Sequence, residues 1–286
     1  MATKKRRRKR KINKKRVGIV LSIACLVIFL FSTIAIIHNQ KQREQEETPV
    51  ESNLIANTYD WTKLKKDGSF LTYEDDQYTS MQGIDVSAHQ EWIDWEKVKN
   101  AGVQFAYLRV GYRGYETGVI HKDSYFDYNI QSCIKYGIQV GVYFFSQATT
   151  KEEAREEAEF TLREINNYQI DLPVCYDIEK AGEGAGRVDQ LSSETWTENA
   201  VTFLHIIQNA GYQAMNYNSS NLLEEYFQLE YMQEFDTWVA HYDTEYPNYP
   251  YTFQIWQYSC TGQVDGIDGE GTDMDIMFVK KEKTNE

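Results

Sequence analysis

Two acids two residues apart, Asp177 and Glu179, close an apolar run, PVCYDIE (173–179), that has the texture of a β-strand. Side chains on a strand alternate with a period of two, so both carboxyls share one face. Roughly 6–7 Å apart along that face, they repel when both are ionised, and one pKa rises. A carboxylic acid held protonated near neutral pH is a general acid, the equipment needed to break a glycosidic bond. Other acids stand in similar places. Asp85 closes GIDVS (83–87), Asp243 follows TWVAHY (237–242), and Asp273 and Asp275 lie within TDMDIMF (272–278). Acids inside apolar runs are costly to bury unless paired or protonated. A structural ion pair is the competing reading of Asp177 and Glu179, with Arg109 as partner. Arg109 could equally hold Asp85 or Asp177 ionised beside the acid.

Aromatic residues cluster at the same places. Tyr143, Phe145, Tyr176, Tyr217, Trp238, Tyr242, Trp256 and Tyr258 fall at or near strand-like ends. Flat aromatic faces suit sugar rings, and Gln254, Gln257 and Asn216 could bond hydroxyl or acetamido groups. Any one of these aromatics could instead be core packing. The expected substrate-binding set is Tyr143, Phe145, Tyr217, Trp238, Tyr242, Gln254, Trp256 and Arg109.

What must position these groups is a series of strands. Eight candidates run GIDVS (83–87), FAYLRVGY (105–112), QVGVYFFSQ (139–147), PVCYDIE (173–179), YQAMNYN (212–218), TWVAHY (237–242), FQIWQY (253–258) and TDMDIMF (272–278). Helix-like stretches separate the first five. Asp94 to Gly102 and Tyr125 to Gly137 each end on glycine, a common helix stop. Thr150 to Asn166 and Ser193 to Gly211 open on hydroxyl caps with acids in the first turn. After the fifth strand the spacers shorten, and the last three strands have little room for helices. Strand–helix alternation predicts an α/β fold, an irregular (β/α) barrel with helices missing in the last third. An open doubly wound sheet would want a glycine-rich loop after its first strand, where this chain has Asp85-Val-Ser-Ala-His89-Gln90.

The chain has 286 residues, of which 42% are hydrophobic, enough for a core. Its formal net charge of −13 is unevenly spread. Residues 1–16 hold 11 of the 30 Lys and Arg and no acid, leaving 19 against 43 acids elsewhere. So acidic a body argues against a nucleic-acid partner. Val17 to Ile37 carries no charge, and 21 residues of helix span roughly 31 Å, about one bilayer core. That predicts a basic cytoplasmic tail (1–16) and one uncleaved transmembrane helix (17–37). An extracytoplasmic linker (38–80), the barrel (81–280) and a short tail (281–286) follow, in a single-pass protein of the cell membrane. Trp61, Phe70 and Tyr73 hint that part of the linker packs on the barrel. With Cys25 in the membrane segment, Cys133, Cys175 and Cys260 are an odd number outside it, read as small buried hydrophobes. The five histidines lack metal-site spacing, so no metal or cofactor is expected. His89 and His241, near strand ends, could touch substrate but are read as packing or surface residues.

Residues 81–279 resemble the family 25 glycoside hydrolases, lysozymes that act as N-acetylmuramidases. The resemblance rests on GIDVSAHQ (83–90) with Trp95 after it, FAYLRVGY (105–112), GVYFFSQA (141–148), CYDIEK (175–180), WVAHY (238–242), QIWQYS (254–259) and TDMDIM (272–277), in that order. It implies an irregular barrel whose later strands lose their helices. It also implies cleavage of the β-1,4 bond after N-acetylmuramic acid in peptidoglycan glycan strands. By position Glu179 resembles the proton donor, Asp177 its partner, and Asp85 and Asp273 the two further acids. Asp177 would act as nucleophile or would orient the sugar's own acetamido group. The chain departs from the family at Arg109-Val-Gly-Tyr-Arg113-Gly, where many members carry Lys-x-Thr-Glu-Gly, and at Tyr143-Phe144-Phe145, where many carry Tyr-His-Phe. No choline-binding, LysM or SH3-type repeat is recognisable, and the membrane segment would take their place in keeping the enzyme near the wall. Two other readings stay open: a chitinase-like glycosidase, and a non-catalytic wall-binding or assembly module on the same barrel.

Overall fold

The computed structural model describes residues 54–282, apart from Glu183 and Glu270. The expected tail (1–16), membrane segment (17–37), first part of the linker (38–53) and last residues (283–286) lie outside the described residues. Among the described residues no helix is long and apolar enough to cross a membrane.

A hairpin of β1 (Leu64–Asp67) and β2 (Phe70–Tyr73) leads into β3 (Tyr78–Val86). Then come α1 (Trp95–Asn100), β4 (Phe105–Arg113), β5 (Ile120–Lys122), α2 (Phe126–Tyr136), β6 (Gln139–Ser146), α3 (Lys151–Ile165) and β7 (Val174–Ile178). The chain continues through α4 (Ser193–Asn209), β8 (Ala214–Ser219), α5 (Ser220–Tyr226), β9 (Asp236–Ala240), β10 (Ile255–Gly262) and β11 (Thr272–Lys280). The order β3-β4-β6-β7-β8-β9-β10-β11 closes on itself, because β3 pairs with both β4 and β11. All eight expected strands are barrel staves. β11 differs from the others in running antiparallel to both neighbours. Only nine residues separate β10 from β11, too few for the crossover that a parallel return requires.

Local chemistry sets the helices. Thr150 Oγ1 accepts from Glu153 N at 3.3 Å and Ser192 Oγ from Thr195 N at 3.2 Å, each satisfying an otherwise open N–H. α2 ends at Gly137, whose φ of +66° suits a residue without Cβ.

The stave alternation divides the core in two. Inward positions form one buried cluster, Phe105, Tyr107, Tyr143, Cys175, Met215, Tyr217, Trp238, Ala240 and Ile255. Outward positions such as Leu108, Phe144 and Tyr176 pack with Phe126 and Phe203 of the helices. The inner rings are large, and two staves give way to them. A Cβ on Gly83 would lie 2.2 Å from the Phe105 ring, and one on Gly141 would lie 2.6 Å from the Tyr107 ring.

Residues 54–80, expected as linker, belong to the folded body. Tyr59 stacks on Phe278 with centroids 4.2 Å apart and donates from its hydroxyl to Phe253 O at 2.6 Å. Trp61 lies parallel to Phe253, and Tyr73 is buried. The aromatic residues of this stretch cover one side of β10 and β11, as Trp61 and Tyr73 hinted. Cys133 and Cys175 are buried as expected, whereas Cys260 is exposed, on the part of β10 that extends beyond the packed staves.

Candidate active site

The inward positions change character along the barrel. On β3 they read Met81, Gly83, Asp85; on β7 they read Cys175 and Asp177, with Glu179 just past the strand; on the antiparallel β11 they read Met277, Asp275, Asp273. The acids therefore gather at one end, the C-terminal end of the parallel staves, where barrels carry chemistry. β11 and β3 are in register with Asp273 opposite Asp85. A cavity of about 380 Å³ opens there, and Asp85, Asp177, Glu179 and Asp273 all line it. Arg109, Tyr143, Phe145, Tyr217, Trp238 and Tyr242 complete most of its wall. Ten of the twelve residues singled out from the sequence thus face one cavity.

Gln254 and Trp256 do not. Both have the outward parity on or next to β10, and Gln257, between them and the next turn of the chain, points inward. Gln254 Oε1 accepts from Thr237 N at 2.6 Å, and its side chain lines cavities away from the acids. Trp256 is 1% exposed, donates to His241 O at 2.8 Å and meets Trp61 edge to face. Both are structural.

The backbone that carries the acid pair is fixed from two sides. Gln147 Nε2 donates to Glu179 O at 2.9 Å, and Asn218 Nδ2 donates to Ile178 O. Asp177 is 4% exposed. Its carboxyl pKa lies well above the usual range, because burial disfavours the charge and Glu179 beside it repels it. Glu179 is raised too, by burial and by Asp273. Asp177 Oδ1 is sealed from solvent with no N–H or O–H donor of the described residues in reach. Burial and the neighbouring carboxyl both favour a proton on this pair.

A second acid pair repeats this. Asp85 is held well above the usual range by burial and by Asp273 and Asp275. Gln257 Nε2 donates to Asp85 Oδ2 at 2.5 Å, while Gln257 Oε1 accepts from the Tyr217 hydroxyl at 2.8 Å and the Tyr242 hydroxyl at 2.5 Å. Asp275, fully buried beneath the cavity, accepts from Trp238 Nε1 at 2.9 Å, and its Oδ2 has no donor. Its carboxyl is pushed upward by burial and by Asp273. Asp273, partly open to solvent, is raised by burial to about 6.

Arg109 lies among these acids, but its direct ion partner is Asp123. Nε donates to Asp123 Oδ2 at 2.8 Å, and Asp123 also accepts from Ala88 N and Tyr125 N. From this place the guanidinium draws Asp177 downward against the effect of burial. Asp123 carried no signal in the sequence, since it lies outside the staves and reaches Arg109 only through the fold. Asp275 was visible as an acid in a strand. Gln257 was visible as a polar neighbour of sugars, and only its inward parity marks it as the residue joining Asp85 to two tyrosines. His89, exposed as the surface reading expects, and Gln90, on the turn after β3, also line the cavity. His241 Nδ1 accepts from Asn248 N at 3.1 Å, a structural bond.

Residues 84–267 match the sequence profile of glycosyl hydrolases family 25. The chain is 29% identical, over 84% of its own length and 84% of the relative's, to YegX of Escherichia coli O157:H7, an uncharacterized protein. It is 28% identical to lysozyme M1 of Streptomyces globisporus, covering 67% of this chain and 66% of that one. Among solved structures, the modular autolysin LytC of Streptococcus pneumoniae in complex with a synthetic peptidoglycan ligand superposes with a TM-score of 0.60 at 22% identity. That match covers 76% of this chain, which spans about half (52%) of the autolysin's.

Proposed function

The chain belongs to glycosyl hydrolases family 25, a glycoside hydrolase of lysozyme type, and we propose that it cleaves the β-1,4 bond between N-acetylmuramic acid and N-acetylglucosamine in peptidoglycan. The observation that carries this reading is the neighbouring Asp177–Glu179 pair, both held above the usual carboxyl range, at the mouth of an acid-lined cavity. Glu179, the more open of the two, donates the proton to the leaving oxygen. Asp177, buried beside Glu179 at the end of the same stave, suits the role of orienting the substrate's acetamido oxygen for internal attack. Asp85 and Asp273, on the facing staves, stabilise the positive charge that develops on the ring. Tyr143, Phe145, Tyr217, Trp238 and Tyr242 offer aromatic faces and hydroxyls to the sugars, and Arg109 offers the cavity's cationic group.

The uncharged segment 17–37 behind a basic tail supports a second part of the proposal, that the enzyme works outside the cell while tethered to the membrane. The test of the activity is mass spectrometry of peptidoglycan digested by the full chain and then reduced. Reduced muramic acid at the new ends is the expected outcome. Reduced glucosamine, or no product, would overturn the reading. Glu179→Gln should lower release by about 10²–10⁴-fold, the usual worth of a general acid. Chitin oligomers cleaved in preference to peptidoglycan would favour a chitinase-like enzyme. Wall binding without turnover would favour an assembly module.

A further inference from the structure

The β4–β5 hairpin carries Tyr115, a residue outside the cavity wall. Tyr115 is 41% exposed. Its ring meets the cavity-lining Phe145 edge to face, with centroids 5.6 Å apart, and Phe145 is in register with Asp177 on the neighbouring stave. Burial, then the charges of Glu179 and Asp177, push its hydroxyl up to about 12.

An exposed aromatic at a cleft edge is a binding surface only if its mount is rigid. This mount is. Arg113, 3% exposed at the foot of the hairpin, donates to Gly118 O at 2.7 Å, Glu157 Oε1 at 2.6 Å and Glu153 O at 2.9 Å. Arg187, on the loop after β7, packs so closely on the hairpin that a Cβ at Gly118 would lie 2.8 Å from its guanidinium. Gly118 has φ +65°, so this position requires glycine twice over. Arg187 also binds Glu153 Oε1 at 2.7 Å and Gln147 O at 2.9 Å. Gln147 in turn accepts from Arg187 N and donates to Glu179 O. The hairpin and the backbone of Glu179 are thus tied to one another through Arg187 and Gln147, and Tyr115 keeps a fixed place relative to the acid.

We propose that Tyr115 and Phe145 form a sugar subsite for the ring on the leaving-group side of the scissile bond, the N-acetylglucosamine that departs with the protonated oxygen. The proposal rests on Glu179 being the proton donor. A donor faces the leaving oxygen, and the ring attached to that oxygen meets whatever stands beyond the donor. The aromatic surface beside the acid pair is the edge-to-face Tyr115–Phe145 pair, with Phe145 in register with Asp177, and the open Tyr115 face suits the apolar side of a hexosamine.

The test is ligand binding to the full chain carrying Glu179→Gln, measured by calorimetry. One ligand is a peptidoglycan tetrasaccharide that spans the scissile bond, and the other is the N-acetylglucosaminyl-N-acetylmuramic acid disaccharide that stops before it. Adding Tyr115→Ala should weaken the tetrasaccharide about three- to tenfold, the range expected of one aromatic contact. It should leave the disaccharide unmoved. Tyr115→Phe should bind like the parent, because the ring and not the hydroxyl makes the contact. Tyr115→Leu, which keeps apolar bulk under the hairpin, should behave like Tyr115→Ala and covers the case in which alanine unsettles the loop. Equal tetrasaccharide affinity with and without the ring would overturn the subsite, as would equal weakening of both ligands. A wild-type chain that binds glycan in this Tyr115-dependent way yet releases no muropeptides would sink the proposed activity and leave the subsite standing.

Discussion

Gln257 Nε2 donates to Asp85 Oδ2 at 2.5 Å, and this one amide joins staves β10 and β3 across the mouth of the barrel. Its oxygen takes two tyrosine hydroxyls, so every polar atom of the side chain except one N–H is engaged. Gln257→Leu would keep the volume and strand Asp85 and the Tyr217 and Tyr242 hydroxyls. Each buried polar group left without a partner costs about 1–3 kcal/mol. The expected result is a lower melting temperature and a loss of muropeptide release greater than the stability change explains. Unchanged activity at a temperature well below the melt would contradict the role given to Asp85.

The raised carboxyls set how stability varies with pH. Asp85, Asp177, Glu179 and Asp275 are all higher in the folded protein than in an unfolded chain. The folded state therefore holds more protons, and stability falls as pH rises. The contribution is fully present below the unfolded carboxyl range near 4 and is lost as pH climbs through the raised values. A thermal melt at pH 5 should lie above one at pH 8, on the order of a few °C for a body of this size. General repulsion among surplus acids acts in the same direction. Asp275→Asn separates the two causes, because it should flatten much of the slope while changing the net charge by a single unit.

The strand ends and the acid pair were legible because both rest on period-two alternation, which the sequence carries openly. β7 needs only Cys175-Tyr176-Asp177 to reveal which side faces in. The same rule, applied strictly, excludes Trp256 and Gln254, and their attraction as sugar-binding types obscured it. Asp123 and Gln147 could not be read in this way. They act through contacts with Arg109 and with Glu179 O that join segments 14 and 32 residues apart. The 54–80 stretch was legible only in part. Its lysines and acids are those of a solvated linker, while Trp61 and Tyr73 signalled packing, and with Tyr59 they lie against Phe278.

Asp275 separates a proton's role from a charge's. It lies under the cavity, bonded to Trp238 Nε1, and burial and Asp273 favour its protonated form. An asparagine keeps an acceptor for Trp238 and a neutral donor, and an alanine offers neither. Asp275→Asn should keep activity within about tenfold of wild type, whereas Asp275→Ala should lose more and melt earlier, by roughly the 1–3 kcal/mol of an unsatisfied buried group. Asparagine and alanine variants of equal activity would show that the polar group of Asp275 does not matter to the site.

Asp273 is the cleft acid whose ionisation falls within a working pH range, at about 6. If it stabilises positive charge on the ring, it must be ionised, and kcat/KM should rise with pH through that value. The pair Asp177–Glu179 must keep one proton, so kcat/KM should fall again at higher pH, where burial and repulsion finally yield. The profile is then a bell whose acid limb belongs to Asp273 and whose alkaline limb belongs to the pair. Asp273→Asn should abolish the limb near 6 and lower the plateau, leaving the alkaline limb in place but moved to lower pH. The shift has that sign because removing a neighbouring negative charge makes the Glu179 proton easier to lose. A wild-type acid limb that survives unchanged in Asp273→Asn would assign it to another group and leave Asp273 without its electrostatic role.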